Sequence, residues 1–474
     1  MKILFIASEA FPFAKVGGLA DVTSSLALAL HDLGHECYVM LPAYESIKTR
    51  TEEIQGVDVD LSFMGHQEQA VFRTARLRDK VSVYLAQNDA YFGTDEIYAQ
   101  GELERFFFLA VIVPAAISRL GIHPDVVHCH DWHAALVPLF LRQANLSLPC
   151  VFTIHNLAYQ GLFDQQFSDR SGLSSVWQQY APPGSPRLPL NFMSQGILLA
   201  DTLTTVSPTY ASEILTPEYG DGLEWLLDYR RNDLYGIING IDYDEYDPAT
   251  DSSLETNYNS TTIERKVDNK LALQERSRLP QNPEVPLFGM VSRLDEQKGI
   301  DLVVGGVDDF FGETNAQLVI LGQGREHYAK SLIEAASRHS GRLSVTIATD
   351  EQLARLVYAG SDMFLMPSRF EPCGLGQLIA MRYGTVPVVR HTGGLADTVK
   401  DVVEADGNGF VFQNYSVPEM VEAIKRAEAG FYRRDEWRSL VKHNMKLDFS
   451  WRTSARKYEE VYRRAQSAHR SRGA

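Results

Sequence analysis

The stretch Ser368 to Asp397, SRFEPCGLGQLIAMRYGTVPVVRHTGGLAD, gathers the residue types that could do chemistry. An acid, Glu371, sits in a Pro/Cys/Gly turn after the apolar run Met363 to Met366 and before a helical segment, Leu375 to Tyr383. A second apolar run, Val386 to Val389, leads to Thr392-Gly393-Gly394, which opens another helix. Helix starts carry unpaired N–H groups that attract anions, and a glycine lets the ligand come close to the backbone. The pentapeptide GGLAD of Gly393 to Asp397 also occurs at Gly17 to Asp21, each copy with a basic residue upstream, Arg390 or Lys15. Two anion-facing helix starts and one carboxylate mark a ligand site that a phosphate could approach closely. Neither copy is the three-glycine GxGxxG fingerprint of a nicotinamide cofactor site.

Two other clusters suggest metals and are read otherwise. In HCHDWH, His128 and His130 would share one face of a strand while Cys129 points away, and no distant CxxC completes a zinc tetrahedron. The pairs Asp58/Asp60 and Asp242/Asp244 resemble the DxD metal motif but are expected in surface turns of polar connecting segments. No metal and no cofactor are expected.

The elements that must position these residues alternate between strand and helix. Strands are expected at Ile3 to Ala7, Cys37 to Leu41, Val81 to Leu85, Val126 to Cys129, Cys150 to Ile154 and Leu203 to Val206. A second series runs through Leu287 to Val291, Gln317 to Leu321, Ser344 to Ile347, Met363 to Met366, Val386 to Val389 and Phe410 to Phe412. Helices fit the 3.6-residue rhythm of Val22, Leu26, Ala29, Leu30 and Leu33, the apolar segment Glu104 to Leu120, and Arg452 to Ala468. The fold class is therefore α/β: two Rossmann-like, doubly wound parallel-sheet domains facing a deep interdomain cleft. Domain boundaries are placed at 1–240, 241–450 and 451–474, the last a helix packing back on the N-terminal domain.

Composition narrows the function classes. Lysine plus arginine against aspartate plus glutamate, 45 − 61, gives a net charge of −16, which opposes nucleic-acid binding. Cys37, Cys129, Cys150 and Cys373 show no paired spacing and read as free thiols of a reducing compartment. The first apolar run is short and interrupted by Glu9, so it reads as a strand and not a signal peptide. No membrane-spanning stretch is found, and the cytoplasm is the expected location.

The motifs KVGGLADV (Lys15 to Val22), HCHDWHA (His128 to Ala134), TIHNLAYQG (Thr153 to Gly161), TVSPTYASEI (Thr205 to Ile214), NGID (Asn239 to Asp242), VSRLDEQKG (Val291 to Gly299), SRFEPCGL and HTGGLAD occur in this order. Together they resemble bacterial glycogen synthases and plant starch synthases, retaining glucosyltransferases of the GT-B type. The resemblance implies transfer of glucose from ADP-glucose to the nonreducing 4-hydroxyl of an α-1,4-glucan, with release of ADP. It implies an N-terminal acceptor side and a C-terminal donor side. ADP-glucose and the glucan are the expected partners, without nucleic acid or membrane.

By the same resemblance, Arg293 and Lys298 bind the diphosphate, aided by the turn Cys373-Gly374-Leu375 and by Thr392, Gly393 and Gly394. Lys15, with Gly17 and Gly18, reaches the phosphates from the other domain on closure. Glu371 holds sugar hydroxyls and supports positive charge near the ring, and His155 lies near the glucose. Asp21, Asp131, Trp132, Asn156 and Asn239 are expected on substrate, Asp21 also in catalysis. Three departures from the family pattern stand out. Thr349 replaces an aromatic that stacks on adenine, Ile379 replaces a tyrosine, and Ser194-Gln195 replaces a lysine-bearing pair. The alternatives are a GT-B enzyme using UDP-glucose or a small sugar-phosphate acceptor, a nicotinamide oxidoreductase, and a non-catalytic glucan- or nucleotide-binding protein.

Overall fold

The computed structural model describes residues 1–98 and 101–472, so the last two residues of the expected 451–474 segment lie outside the described residues. The chain divides into two compact units, Met1–Gly240 with Trp451–Ala474 (unit 1) and Ile241–Ser450 (unit 2).

Unit 1 contains β1 (Lys2–Ile6), α1 (Gly18–Asp32), β2 (Glu36–Pro42), β3 (Glu52–Phe63), β4 (His66–Leu77), β5 (Val81–Gln87), α2 (Glu102–Arg119), β6 (Val126–His130), β7 (Cys150–Ile154), β8 (Thr202–Thr205) and β9 (Leu234–Gly236). Its sheet runs β3-β4-β5-β2-β1-β6-β7-β8-β9. From β5 to β9 every neighbour is parallel, and β6 and β7 are buried along their whole length. Strands covered on both faces need the continuous apolar runs that the sequence supplies.

The other edge departs from the expected parallel plan. β3 pairs antiparallel with β4, and β4 with β5. The two long strands meet at Met64-Gly65, both with positive φ (49° and 86°), as a two-residue hairpin turn requires. Asp58 and Asp60 are therefore not in a surface turn. They lie on the outward face of β3, and Val59 and Phe63 are buried. Asp242 does sit in a turn, where its carboxylate accepts from the Asp244 N–H at 2.9 Å.

Unit 2 contains β10 (Leu287–Val291), β11 (Gln317–Gly322), β12 (Leu343–Ile347), β13 (Met363–Met366), α3 (Gly376–Arg382), β14 (Val386–Arg390), α4 (Gly393–Thr398) and β15 (Phe410–Phe412). The sheet is all parallel, in the order β12-β11-β10-β13-β14-β15. Numbered within the unit this is 3-2-1-4-5-6, so the order reverses between β10 and β13. Ligands of such sheets bind beyond the strand ends at that reversal. Unit 1 has the same reversal between β1 and β6.

The final helix, α5 (Trp451–Arg472), belongs to unit 1. Trp451, Ala455, Tyr458, Tyr462 and Ala465 recur at alternating spacings of four and three, forming one buried stripe. Tyr462 places its hydroxyl 3.0 Å from His128 Nδ1, and Glu459 meets His35 at 2.9 Å. No helix of the described residues is long and apolar enough to cross a membrane.

Candidate active site

In unit 2 the chain leaves β10, turns through Ser292 to Gly299 and enters the helix Ile300–Glu313. Gly299 makes the turn possible: its φ is +71°, and a Cβ there would collide with the Pro367 carbonyl just beyond β13. The Asp295 carboxylate caps the turn by accepting the Lys298 N–H at 3.1 Å. The Arg369 N–H donates to the Gln297 carbonyl at 2.9 Å, tying the β10 loop to the β13 loop.

This geometry brings Lys298 to Glu371. The ammonium lies 2.8 and 2.6 Å from the two carboxylate oxygens, and Ser368 Oγ donates to one of them at 3.0 Å. Glu371 is 4% exposed, so burial of its charge is compensated by this pairing. Arg293 is half-exposed and engages its own loop, 3.3 Å from Asp295 and 3.0 Å from Gln297.

The turn before α3 is held by a residue that the motif reading passes over. Gln377 is fully buried, and its Nε2 donates to the carbonyls of Cys373 (3.1 Å) and Gly374 (2.9 Å) and to Thr398 Oγ1 (3.1 Å). Gly374, with φ +75°, and Leu375 complete that turn. Thr392 is buried ahead of α4, and Gly393 has φ +42°. The Gly394 N–H donates to the Glu371 carbonyl at 3.0 Å, so that amide is engaged within the protein instead of open to a phosphate.

In unit 1 the loop after β1 carries Lys15, whose ammonium pairs with Asp21 at 2.8 Å on the first turn of α1. Beneath the loop lies Glu9, 2% exposed, accepting from the N–H groups of Val16 and Gly17 and from the Tyr98 hydroxyl. The Gly17 amide expected at a phosphate is thus taken by Glu9, and the next residue, Gly18, begins α1.

Across the reversal, Asp131 follows β6 with φ +56°, a left-handed conformation uncommon outside glycine. Its carboxylate accepts the backbone N–H of His155 at 2.8 Å and that of Asn156. Burial pushes Asp131 up to about 7 against those hydrogen bonds. It therefore shapes the turn after β7. His155 Nε2 lies 2.9 Å from His130 Nδ1, and burial lowers His155 to about 3. His128, His130 and His133 are likewise held neutral by burial. His128 and His130 share a face, their ring centroids 4.1 Å apart, and His128 also meets Thr153 at 2.6 Å. Among the described residues no group of three His, Cys, Asp or Glu is arranged to hold a metal ion.

Trp132 lies in the core of unit 1. It is 4% exposed and packs edge-on against Phe106, with its ring filling the space where a Cβ of Gly161 would sit. Asn156 turns its own loop, accepting the Ala158 N–H at 3.1 Å. Asn239 is buried, and its Oδ1 has no partner among the described residues.

The starch synthase catalytic domain family matches residues 2–229, and the glycosyl transferases group 1 family matches residues 273–441. Glycogen synthase 2 of Geobacter sulfurreducens is 44% identical over 99% of this chain and its own full length. The chain belongs to the glycogen and starch synthase family. Within that family, the glycogen synthase of Thermotoga maritima is 41% identical over 98% of this chain and 99% of its own. The catalytic domain of starch synthase IV from Arabidopsis thaliana, solved bound to ADP and acarbose, superposes with a TM-score of 0.90 at 33% identity. That match covers 98% of this chain and 99% of the other. As a member of this family the chain is a glucosyltransferase with two α/β domains of the GT-B type.

Proposed function

We infer that this enzyme transfers glucose from ADP-glucose to the nonreducing 4-hydroxyl of an α-1,4-glucan, with retention of configuration. The bond between glucose C1 and the β-phosphate oxygen breaks, its electrons leaving with ADP, while C1 bonds to O4 of the acceptor. The hydroxyl proton departs with the ADP. The observation that carries this reading is the Lys298–Glu371 pair at the strand-order reversal of unit 2, 2.6 Å apart. One point of the site thereby offers a cation for the leaving diphosphate and a carboxylate for the sugar as it gains positive charge.

Arg293 adds a guanidinium fork, and the turn at Cys373, Gly374 and Leu375 and the loop at Thr392 and Gly393 frame the donor. In unit 1, Lys15, the α1 start at Gly18 and Asp21 form a second polar element for the substrates. His155, Asn156 and Asn239 contribute sugar contacts, with Asp131 holding the His155 turn. The two cationic side chains take the place that a metal ion has in other transferases, and the reaction runs without one. Four buried free cysteines fit a cytoplasmic enzyme.

A UDP-glucose donor is the second reading. It is favoured by Thr349, an exposed small residue just ahead of the helix Glu351–Gly360, where the family pattern has an adenine-stacking aromatic. The purified chain is to be offered ADP- or UDP-glucose with glycogen, maltooligosaccharides or a sugar phosphate, each with and without EDTA. Elongation of glycogen with release of ADP, unchanged by EDTA, is expected. Transfer only to the sugar phosphate overturns the acceptor. Activity lost to EDTA and restored by magnesium overturns the metal-free scheme.

A further inference from the structure

We propose that Glu9 is a positioning residue for the donor, acting through the Lys15–Gly18 loop that it holds from beneath. Burying a carboxylate is costly unless donors surround it. Among the described residues the donors on Glu9 are all neutral: the N–H of Val16, the N–H of Gly17 at 2.9 Å, and the Tyr98 hydroxyl. Tyr98 is also 3.1 Å from Ser8 Oγ, and the Ser8 carbonyl accepts the Tyr44 hydroxyl at 2.9 Å. Through these contacts the rigid end of β1 is tied to the two residues that follow Lys15.

The far side of the loop is bare. Gly17 adopts an extended backbone, φ −137° and ψ −167°, and a Cβ there would meet nothing within 4 Å. Neither backbone strain nor local packing therefore calls for glycine at this position. A loop fastened on its inner side and stripped of side chain on its outer side suits close approach of a ligand. Val16, 63% exposed, points away from any core. Glu9 thus fixes where Lys15 and the first turn of α1 stand without touching the substrate itself. A loop free to wander would hold the same groups out of register, and small misplacements are costly in rate.

The inference rests on the reading that this loop meets the donor, and its test separates the two. With ADP-glucose and glycogen, Glu9→Ala is expected to raise the KM for ADP-glucose about tenfold while the KM for glycogen stays put. Glu9→Gln, whose carbonyl can still accept both amides, is expected to recover most of that loss. Glu9→Asp, one methylene too short to reach the loop, should raise the KM about fivefold and carries the test if Glu9→Ala does not fold. In a cycle with Lys15→Ala, the two losses should fail to add. Unchanged donor KM in both Glu9→Ala and Glu9→Asp, equal losses for both substrates, or strict additivity would each overturn the proposal. Should the wild type transfer no glucose from ADP-glucose, the reading of the reaction fails, and hydrogen exchange then decides the role of Glu9. The Val16 and Gly17 amides should exchange at least about tenfold faster in Glu9→Asp than in the wild type; equal protection overturns it.

Discussion

The pentapeptide GGLAD stands at the start of α1 in unit 1 and of α4 in unit 2, and the first glycine of one copy and the second glycine of the other meet opposite surroundings. A Cβ on Gly17, just ahead of α1, would face open space. A Cβ on Gly394 would overlap the Cys373 carbonyl and lie 2.5 Å from the Cys373 Cα. In unit 1 the glycine keeps the outside of a loop bare, whereas in unit 2 it lets two backbones pack against each other behind Glu371. The lysines differ in the same sense. Lys15 pairs with Asp21 in a partly exposed setting, side chains 34% and 25% exposed, while Lys298 compensates a Glu371 side chain only 6% exposed. The same glycine pair thus serves access at its first position in unit 1 and close packing at its second in unit 2.

The contrast is sharpest at the two lysines. Lys298→Ala should lower kcat/KM for ADP-glucose by about 2–5 kcal/mol of transition-state stabilisation and also lower Tm, because Glu371 is left buried without its partner. Lys15→Ala should leave Tm unchanged, since a partly exposed pair contributes little to stability. Equal melting shifts for the two variants would erase the distinction. A smaller difference is expected at the glycines. Gly394→Ala should destabilise unit 2 by about 1–3 kcal/mol through overpacking, and Gly17→Ala should stay within about 0.5 kcal/mol. Denaturant midpoints measure both.

Acid should separate the units further. Unit 1 encloses His128, His130, His133 and His155, all lowered by burial, whereas none of the histidines of unit 2 (His327, His339, His391, His443) is buried. A depressed histidine contributes stability that is present above its unfolded value, about 6.5, and lost as pH falls through its folded one. Unit 1 should therefore open first on acidification, as read by hydrogen exchange along the chain; earlier opening of unit 2 would contradict this. Asp131, raised to about 7, works in the other direction, its contribution being lost as pH rises toward that value. Asp131→Asn keeps an oxygen acceptor and tolerates the left-handed backbone. It should steepen the rise in unit 1 stability between about pH 4 and 7 and leave it slightly above wild type at pH 8.

Most strands were legible because parallel, doubly covered strands are short apolar runs. β7, β10, β13 and β15 start and end where those runs do. The β3–β4 hairpin is not among the expected strands, although Val57, Val59, Leu61 and Phe63 alternate with polar residues. Asp58 and Asp60 match a DxD pair by type, whereas the two-residue period around them places both on one face of a strand. At the site, Lys298 and Glu371 can each be named from their motifs, but their bond spans 73 residues of sequence, and only the strand-order reversal brings the loops together. Glu9 reads in the sequence as a charge interrupting an apolar run. Its donors among the described residues come from an adjacent loop and from a tyrosine 89 residues away, which no local pattern encodes.

Unit 1 completes its core with α5, a helix encoded after all of unit 2. Synthesis from the N-terminus therefore brings out the first unit with a stripe of its core still missing, and the unit translated second is the first able to finish folding. Nascent unit 1 must wait, with the surface around His128 uncovered, until Tyr458 and Tyr462 have cleared the ribosome.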